Sequence, residues 1–188
     1  RDAAVIYPPV EVCQHHLADT TEDYFLVVSR LAPYKRIDLA VQACTRLNVP
    51  LVVIGAGRDL PRLQAMAGPT IKFLGFVPDD EVVRRYFARC RAFLFPGEED
   101  FGISPLEAQA SGRPAIAFAA GGALDTIRPG ETGELFAPQT VDGLAAVLAR
   151  FDATRYDPQR IREHALQFDS SRFKQRMAEF VDGVLNGA

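Results

Sequence analysis

Short apolar runs recur along the chain: Tyr24–Ser29 (YFLVVS), Pro50–Gly55 (PLVVIG), Ile71–Leu74 (IKFL), Ala92–Phe95 (AFLF) and Pro114–Phe118 (PAIAF). They are short and rich in β-branched and aromatic residues, which fits strands buried on both faces, as in a parallel sheet. Between them the apolar positions change to helical spacing. Ile37, Leu39, Ala40, Ala43, Cys44 and Leu47 follow the first run, and a polar helix is expected from about Asp59 to Ala67 after the second. Val82, Val83, Tyr86 and Phe87 mark a further helix behind Pro78-Asp79, where the aspartate offers an N-cap. Beyond the fifth run the pattern changes. ETGELF (131–136) reads as a small strand or a hairpin, Val141 to Phe151 as an apolar helix, and 158–166 and 170–185 as two closing helices.

Strands alternating with helices predict βαβ units, hence an α/β fold: a single Rossmann-like, doubly wound parallel sheet with helices on both faces. Such sheets bind ligands beyond the carboxyl ends of their strands, where the strand order reverses. The residues just after Ser29, Ile54, Leu74, Phe95 and Phe118 are therefore expected to converge on one crevice.

Composition narrows the function classes. The 188 residues suit one well-cored domain, taken as 21–188, with 1–20 as an extended linker from something upstream. A net charge of −3 argues against nucleic acid as the main partner, and no apolar run nears the ~20 residues that cross a bilayer. Cys13, Cys44 and Cys90 stand singly without metal-ligand spacing, which points to reduced thiols and a cytoplasmic setting. His15, His16 and His164 fall away from the predicted crevice, with surface or linker roles. Arg84, Arg85, Arg89 and Arg91 make a basic helix face, read as solvated surface, with contact to an acidic membrane as the alternative.

The strand ends carry the candidate chemistry. Arg30 and Lys35 follow the first strand on a Pro-containing loop that enters a helix, an arrangement that suits a phosphate or diphosphate, though two solvated charges would look the same. Gly55 and Gly57 form a GxG without the third glycine of a dinucleotide fingerprint; a tight turn explains them equally. After the fourth strand, GEEDFGISPLE (97–107) groups Glu98, Glu99 and Asp100, and then sets Ser104, Pro105 and Glu107 as a capping box in which Glu107 caps its own helix. The helix behind still aims the free N–H groups of the stretch Ile103 to Leu106 at the crevice. Three carboxylates at one strand end repel one another, and hydroxyls to accept from would account for at least one. An anion site beside hydroxyl-binding carboxylates describes a nucleotide sugar.

SRLAPYK (29–35), EDFGISPLE (99–107) and GGALDTI (121–127), in that order, closely resemble the carboxyl-terminal half of glycosyltransferase family 4, retaining enzymes of the GT-B fold. Glu99 and Glu107 stand at the spacing of that family's E-x7-E motif, and the likeness runs from about Pro8 to Leu185. The resemblance implies that Arg30 and Lys35 hold the donor diphosphate and stabilise the departing nucleotide. It gives Glu107 the ribose hydroxyls and Glu99 the transferred sugar, with the backbone N–H groups of Phe101, Gly102 and Ile103 on sugar hydroxyls and phosphate. Phe76 and Val77 would seat the base, with Gly55 and Gly57 bordering the pocket. It further implies catalysis without a metal or other cofactor, and a hexose donor most like GDP-mannose. UDP-sugars, a nucleotide-sugar epimerase and a non-catalytic nucleotide-binding module are the alternatives. A saccharide or lipid-linked acceptor would be bound by an amino-terminal domain preceding Arg1, with peripheral membrane contact in the full protein. By itself the chain is expected to bind donor without turning it over. The stripe of Phe173, Met177, Phe180 and Val184 on the last helix reads as core, or else as a docking face towards the missing domain.

Overall fold

The computed structural model describes residues 4–185. Six strands form one parallel sheet in the order β3-β2-β1-β4-β5-β6. They are β1 (Phe25–Val28), β2 (Leu51–Ile54), β3 (Ile71–Gly75), β4 (Ala92–Phe95), β5 (Ala115–Phe118) and β6 (Gly133–Phe136). The five strands expected from apolar runs are all present. ETGELF resolves as a parallel edge strand, with Ala115 to Phe118 beside Gly133 to Phe136.

The period of two along each strand sorts side chains onto two faces. Phe25, Val27, Leu51, Val53, Leu94 and Ile116 pack with α1 (Ile37–Leu47), α2 (Leu60–Ala65) and α6 (Val141–Arg150). Leu26, Val52, Ile54, Phe93 and Ala117 face the other way, onto α3 (Asp80–Arg89), α4 (Ile103–Ala110) and α5 (Ala123–Thr126). The helices start where short polar side chains satisfy their free N–H groups. Asp79 accepts from the N–H of Glu81, Thr140 from that of Gly143, and Asp157 from that of Gln159 at the head of α7 (Pro158–Ala165). Asn48 ends α1 in the left-handed region at φ 54°.

Four expectations change. The chain before β1 is packed where it is described. Val10 and Val12 are buried against Leu106 and Ala165, the Val10 N–H donates to the Phe168 carbonyl, and Arg162 donates to the carbonyls of Val12, His15 and Ala110. His15 and His164 are buried rather than at the surface; only His16 is exposed. Arg91 is off the α3 face: it lies between the rings of Phe25 and Phe151, 5.2 and 5.9 Å from their centres, and donates to the Phe151 carbonyl. On α3 itself Arg84 pairs with Glu81 and Arg89 with Glu22, which halves the expected basic patch. Finally, α8 (Ser170–Leu185) buries no residue, so its apolar stripe is not core. No helix among the described residues is long and apolar enough to cross a membrane.

This contrast gives a stability test. Truncating the fully buried Phe93 to Ala is expected to cost about 3–5 kcal/mol in denaturant unfolding. Phe180→Ala on α8, where the ring is 46% exposed, is expected to cost less than about 1 kcal/mol.

Candidate donor-binding cleft

The strand order reverses between β1 and β4, whose following helices α1 and α4 depart to opposite faces of the sheet. The loops behind these two strands therefore separate, and a cleft of about 480 Å³ lies over the carboxyl ends of β1 to β3. Val28, Ser29, Arg30, Gly55, Phe76, Val77, Asp80, Ser104 and Glu107 line it. Of the expected site residues the cleft brings together Arg30, Gly55, Phe76, Val77, Ser104 and Glu107; Lys35 and Glu99 line a small adjoining space instead, and no residue just after Phe118 lines the cleft.

Hydrogen bonds between the loops build the floor. Ser29 N–H donates to the Ile54 carbonyl, Gly55 N–H to that of Gly75, and Leu31 N–H to that of Ala56. The glycines serve this loop packing. A Cβ on Gly55 would stand 1.9 Å from the Ser29 oxygen and one on Gly57 2.1 Å from that of Leu31. Gly55 still borders the cleft, but Gly57 does not line it. Phe76 stands 74% exposed on the rim, a free aromatic face beside Val77.

Lys35, on a turn of 3-10 helix (Pro33–Lys35), and Glu99, behind β4, form an ion pair that bridges the two diverging loops. Both side chains are largely covered, and the ammonium also lies 5.2 Å from the Tyr34 ring centre. Glu98 and Asp100 face solvent. The expected capping box does not form. Gly102, at φ 83°, caps α4, so Ser104 lies inside the first turn. A Cβ on Gly102 would meet the Phe95 ring at 2.8 Å, so glycine's left-handed backbone is required there. Released from capping, the Glu107 carboxyl lines the cleft with the Ser104 hydroxyl beside it. Burial raises its pKa, as does Asp80, while the Ser104 hydroxyl and Arg84 act in the opposite sense.

Phe101 turns its ring towards Tyr7 and Ile103 is exposed; neither of these residues nor Gly102 lines the cleft. Their backbone is held from behind. Gly122 N–H donates to the Glu99 carbonyl, and a Cβ on Gly122 would lie 2.2 Å from Phe101 Cα. Thr126 of α5 donates to the Gly122 carbonyl, and its own carbonyl accepts from Gln109 at 2.9 Å and from His164 at 3.1 Å. α4, α5 and α7 are thereby tied under the acidic loop.

Pattern reading missed Asp80, Val83 and Phe87 in the cleft lining, and it set His15 apart from the site. His15 lines an adjoining cavity of about 270 Å³ that shares Asp80, Val83, Phe87 and Glu107 with the first. Its Nδ1 meets Ser111 Oγ at 2.9 Å, and Ser111 in turn donates to the Glu107 carbonyl. The apolar residues around His15, namely Val10, Val12 and Leu17, carry the signal for its burial. A separate groove of about 400 Å³ lies beside Thr132, at the amino end of β6. Its charges pair locally, Arg128 with Glu131 and Arg160 with Asp157, and it lies away from the strand carboxyl ends. Among the described residues no group of three or more His, Cys, Asp or Glu side chains could hold a metal ion.

Residues 12–168 match the family described as Glycosyl transferases group 1. The chain belongs to that family. A glycogen synthase of Xanthomonas oryzae pv. oryzae is 35% identical over 144 residues, covering 71% of this chain and 28% of that protein. A GDP-mannose-dependent alpha-mannosyltransferase of Mycolicibacterium smegmatis is 38% identical over 122 residues, 64% of this chain and 31% of that protein. The solved structure of Anabaena Alr3699/HepE in complex with UDP superposes with a TM-score of 0.79 at 22% identity, over 96% of this chain and 57% of that one. The group 1 chain thus carries the expected Rossmann-like half of a GT-B glycosyltransferase and spans about a third or less of these curated relatives.

Two outcomes test the support of the cleft. Gly122→Ala is expected to lower unfolding free energy by about 1–3 kcal/mol through overpacking on Phe101. Gly183→Ala, in α8 with nothing near its Cβ, is expected to add about 0.5–1 kcal/mol. Burial first, then Arg84 and Arg162, lowers the His15 pKa from 6.5 to about 4. Between those values the unfolded chain binds a proton that the folded chain does not, so the stability from neutral His15 is complete above pH 6.5 and is lost as pH falls towards 4. Denaturation midpoints at pH 7 and pH 5 are expected to differ more for the wild type than for His15→Gln.

Proposed function

We propose that this chain is the donor-binding half of a retaining glycosyltransferase that moves a hexose from a nucleoside diphosphate sugar, GDP-mannose foremost, to a saccharide or lipid-linked acceptor. The observation that carries this reading is the meeting of Arg30, Phe76 and Glu107 in one cleft, with the Lys35–Glu99 pair in a small adjoining space that shares Val28 and Ser29 with it.

Each part of such a donor finds matching chemistry. The base stacks on exposed Phe76 beside Val77. The ribose diol donates to the Glu107 carboxylate, whose raised pKa makes this grip the first to weaken as pH falls into the carboxylate range. The diphosphate meets Arg30, the Lys35 ammonium and the N–H groups at the head of α4, which carry the positive end of the helix dipole. Glu99 orients the sugar hydroxyls close to the reacting carbon and holds Lys35 in place. During transfer, negative charge grows on the departing diphosphate while the sugar acquires oxocarbenium character. Arg30, Lys35 and the α4 amides oppose the former at fixed positions, so little reorganisation is needed when the bond breaks. In this reading the cations take the part a divalent ion has in other transferases. Acceptor binding falls to residues outside this chain, and the exposed apolar face of α8 suits contact with them. Alone, the chain binds donor without turning it over.

Titration calorimetry with GDP, UDP, ADP and their sugars tests this. One diphosphate family is expected to bind, with Lys35→Ala and Glu107→Ala each weakening it at least about tenfold, since a charge-assisted hydrogen bond contributes roughly 1.5–3 kcal/mol. Preference for a UDP-sugar would replace mannose from GDP-mannose as the donor. Indifference of every ligand to both substitutions would leave a non-catalytic module.

A further inference from the structure

Three rings from distant parts of the chain meet behind the acidic loop. Tyr7 stacks on Phe101 with centroids 5.3 Å apart and planes 19° from parallel. Phe168 closes the triangle at 5.7 Å from Tyr7 and 5.9 Å from Phe101. Tyr7 belongs to the segment before β1, and Phe168 to the turn that leads into α8. These two are themselves laced together. Val10 N–H donates to the Phe168 carbonyl, Ser170 N–H to the Val10 carbonyl, and the Asp169 carboxylate accepts from the N–H of Val12.

Phe101 lies between Glu99 and Gly102, the cap of α4. Its backbone is fixed on one side by Gly122, as described above, and its ring is gripped on the other by Tyr7 and Phe168. The loop has few other anchors: Glu98 and Asp100 are exposed, and Glu99 is tied by its carboxylate to Lys35. Phe101 and Phe168 pack on the apolar cluster of Val10, Val12, Leu106, Ala110 and Ala165, whereas half-buried Tyr7 stands outside that cluster and meets the two rings.

We propose that Tyr7 and Phe168 are positioning residues of the donor cleft. By clamping the Phe101 ring they set where the Glu99 carboxylate and the first α4 amides stand. They also couple those groups to the incoming segment and to the root of α8, so that a shift of either segment is transmitted to the sugar end of the site. This deepens the donor-binding reading and rests on it.

The test compares Tyr7→Ala, Tyr7→Phe and Phe168→Leu with the wild type. Amide hydrogen exchange over residues 97–103 is measured without ligand, and binding with UMP, GMP, UDP-glucose and GDP-mannose. Tyr7→Ala and Phe168→Leu are expected to speed exchange at Glu99 to Gly102. Each is expected to weaken the nucleotide sugar about threefold to tenfold, the value of one aromatic pair, while the monophosphate, which reaches only Phe76 and Glu107, keeps its affinity. Tyr7→Phe, which retains the stack, is expected to restore both. Wild-type exchange in Tyr7→Ala, or equal weakening of monophosphate and sugar, overturns the clamp. A wild type that binds none of the four ligands overturns the donor reading beneath it, while the exchange comparison still reports separately on the clamp.

Discussion

The cleft exists because the strand order of a parallel sheet reverses between β1 and β4, and one ion pair spans the gap between the loops that follow them. Adjacent strands whose helices leave to opposite faces cannot keep their following loops together, so a gap is forced by topology rather than carved by side chains. Lys35 and Glu99 stand on its two banks. Their attraction joins the two loops, while Arg30 and Glu107 line the cleft beside them. With each side chain about a fifth exposed, the pair is less screened than a surface one, and removing either partner would strand a partly covered charge.

Behind the pair, the support is made of backbone. Gly121 and Gly122 allow α5 to press against the carbonyl of Glu99 and the Cα of Phe101, closer than any side chain would permit. The Thr126 carbonyl then gathers Gln109 and His164, so that α4, α5 and α7 are joined at one atom. Buried amide and imidazole groups are costly unless bonded, and here their bonds are made to a helix end that would otherwise lack partners. Gln109 Oε1 and His164 Nδ1 are left without a protein acceptor or donor, which makes this hub less than fully satisfied.

Much of this could be read from the chain, and the boundary between legible and illegible is physical. Runs such as LVVI and FLVV spell burial on both faces, so the central strands and their order with the helices were recoverable. The strand-end rule leads to Arg30 and Glu107, which line the cleft, and to Lys35 and Glu99, which pair with each other outside its lining. The local rule that failed was the capping box at Ser104: the start of α4 is set by Gly102 passing the Phe95 ring, a contact between residues in different elements. Arg91 between Phe25 and Phe151, and Tyr7 on Phe101, are likewise long-range pairings that no periodicity encodes. The stripe on α8 had the spacing of a buried face, but spacing says that an apolar surface wants cover and not whether this chain supplies it.

The strand order also bears on how the molecule is made. β1 finds β2 about one βα unit later, but its other neighbour, β4, ends only at Phe95. Contacts of such sequence separation form slowly, because the intervening chain must be ordered before they are gained. On the ribosome, a nascent chain that has not yet delivered Phe95 carries β1 with one side bare, an open template for misassociation. The cleft comes into being at the moment that edge is covered.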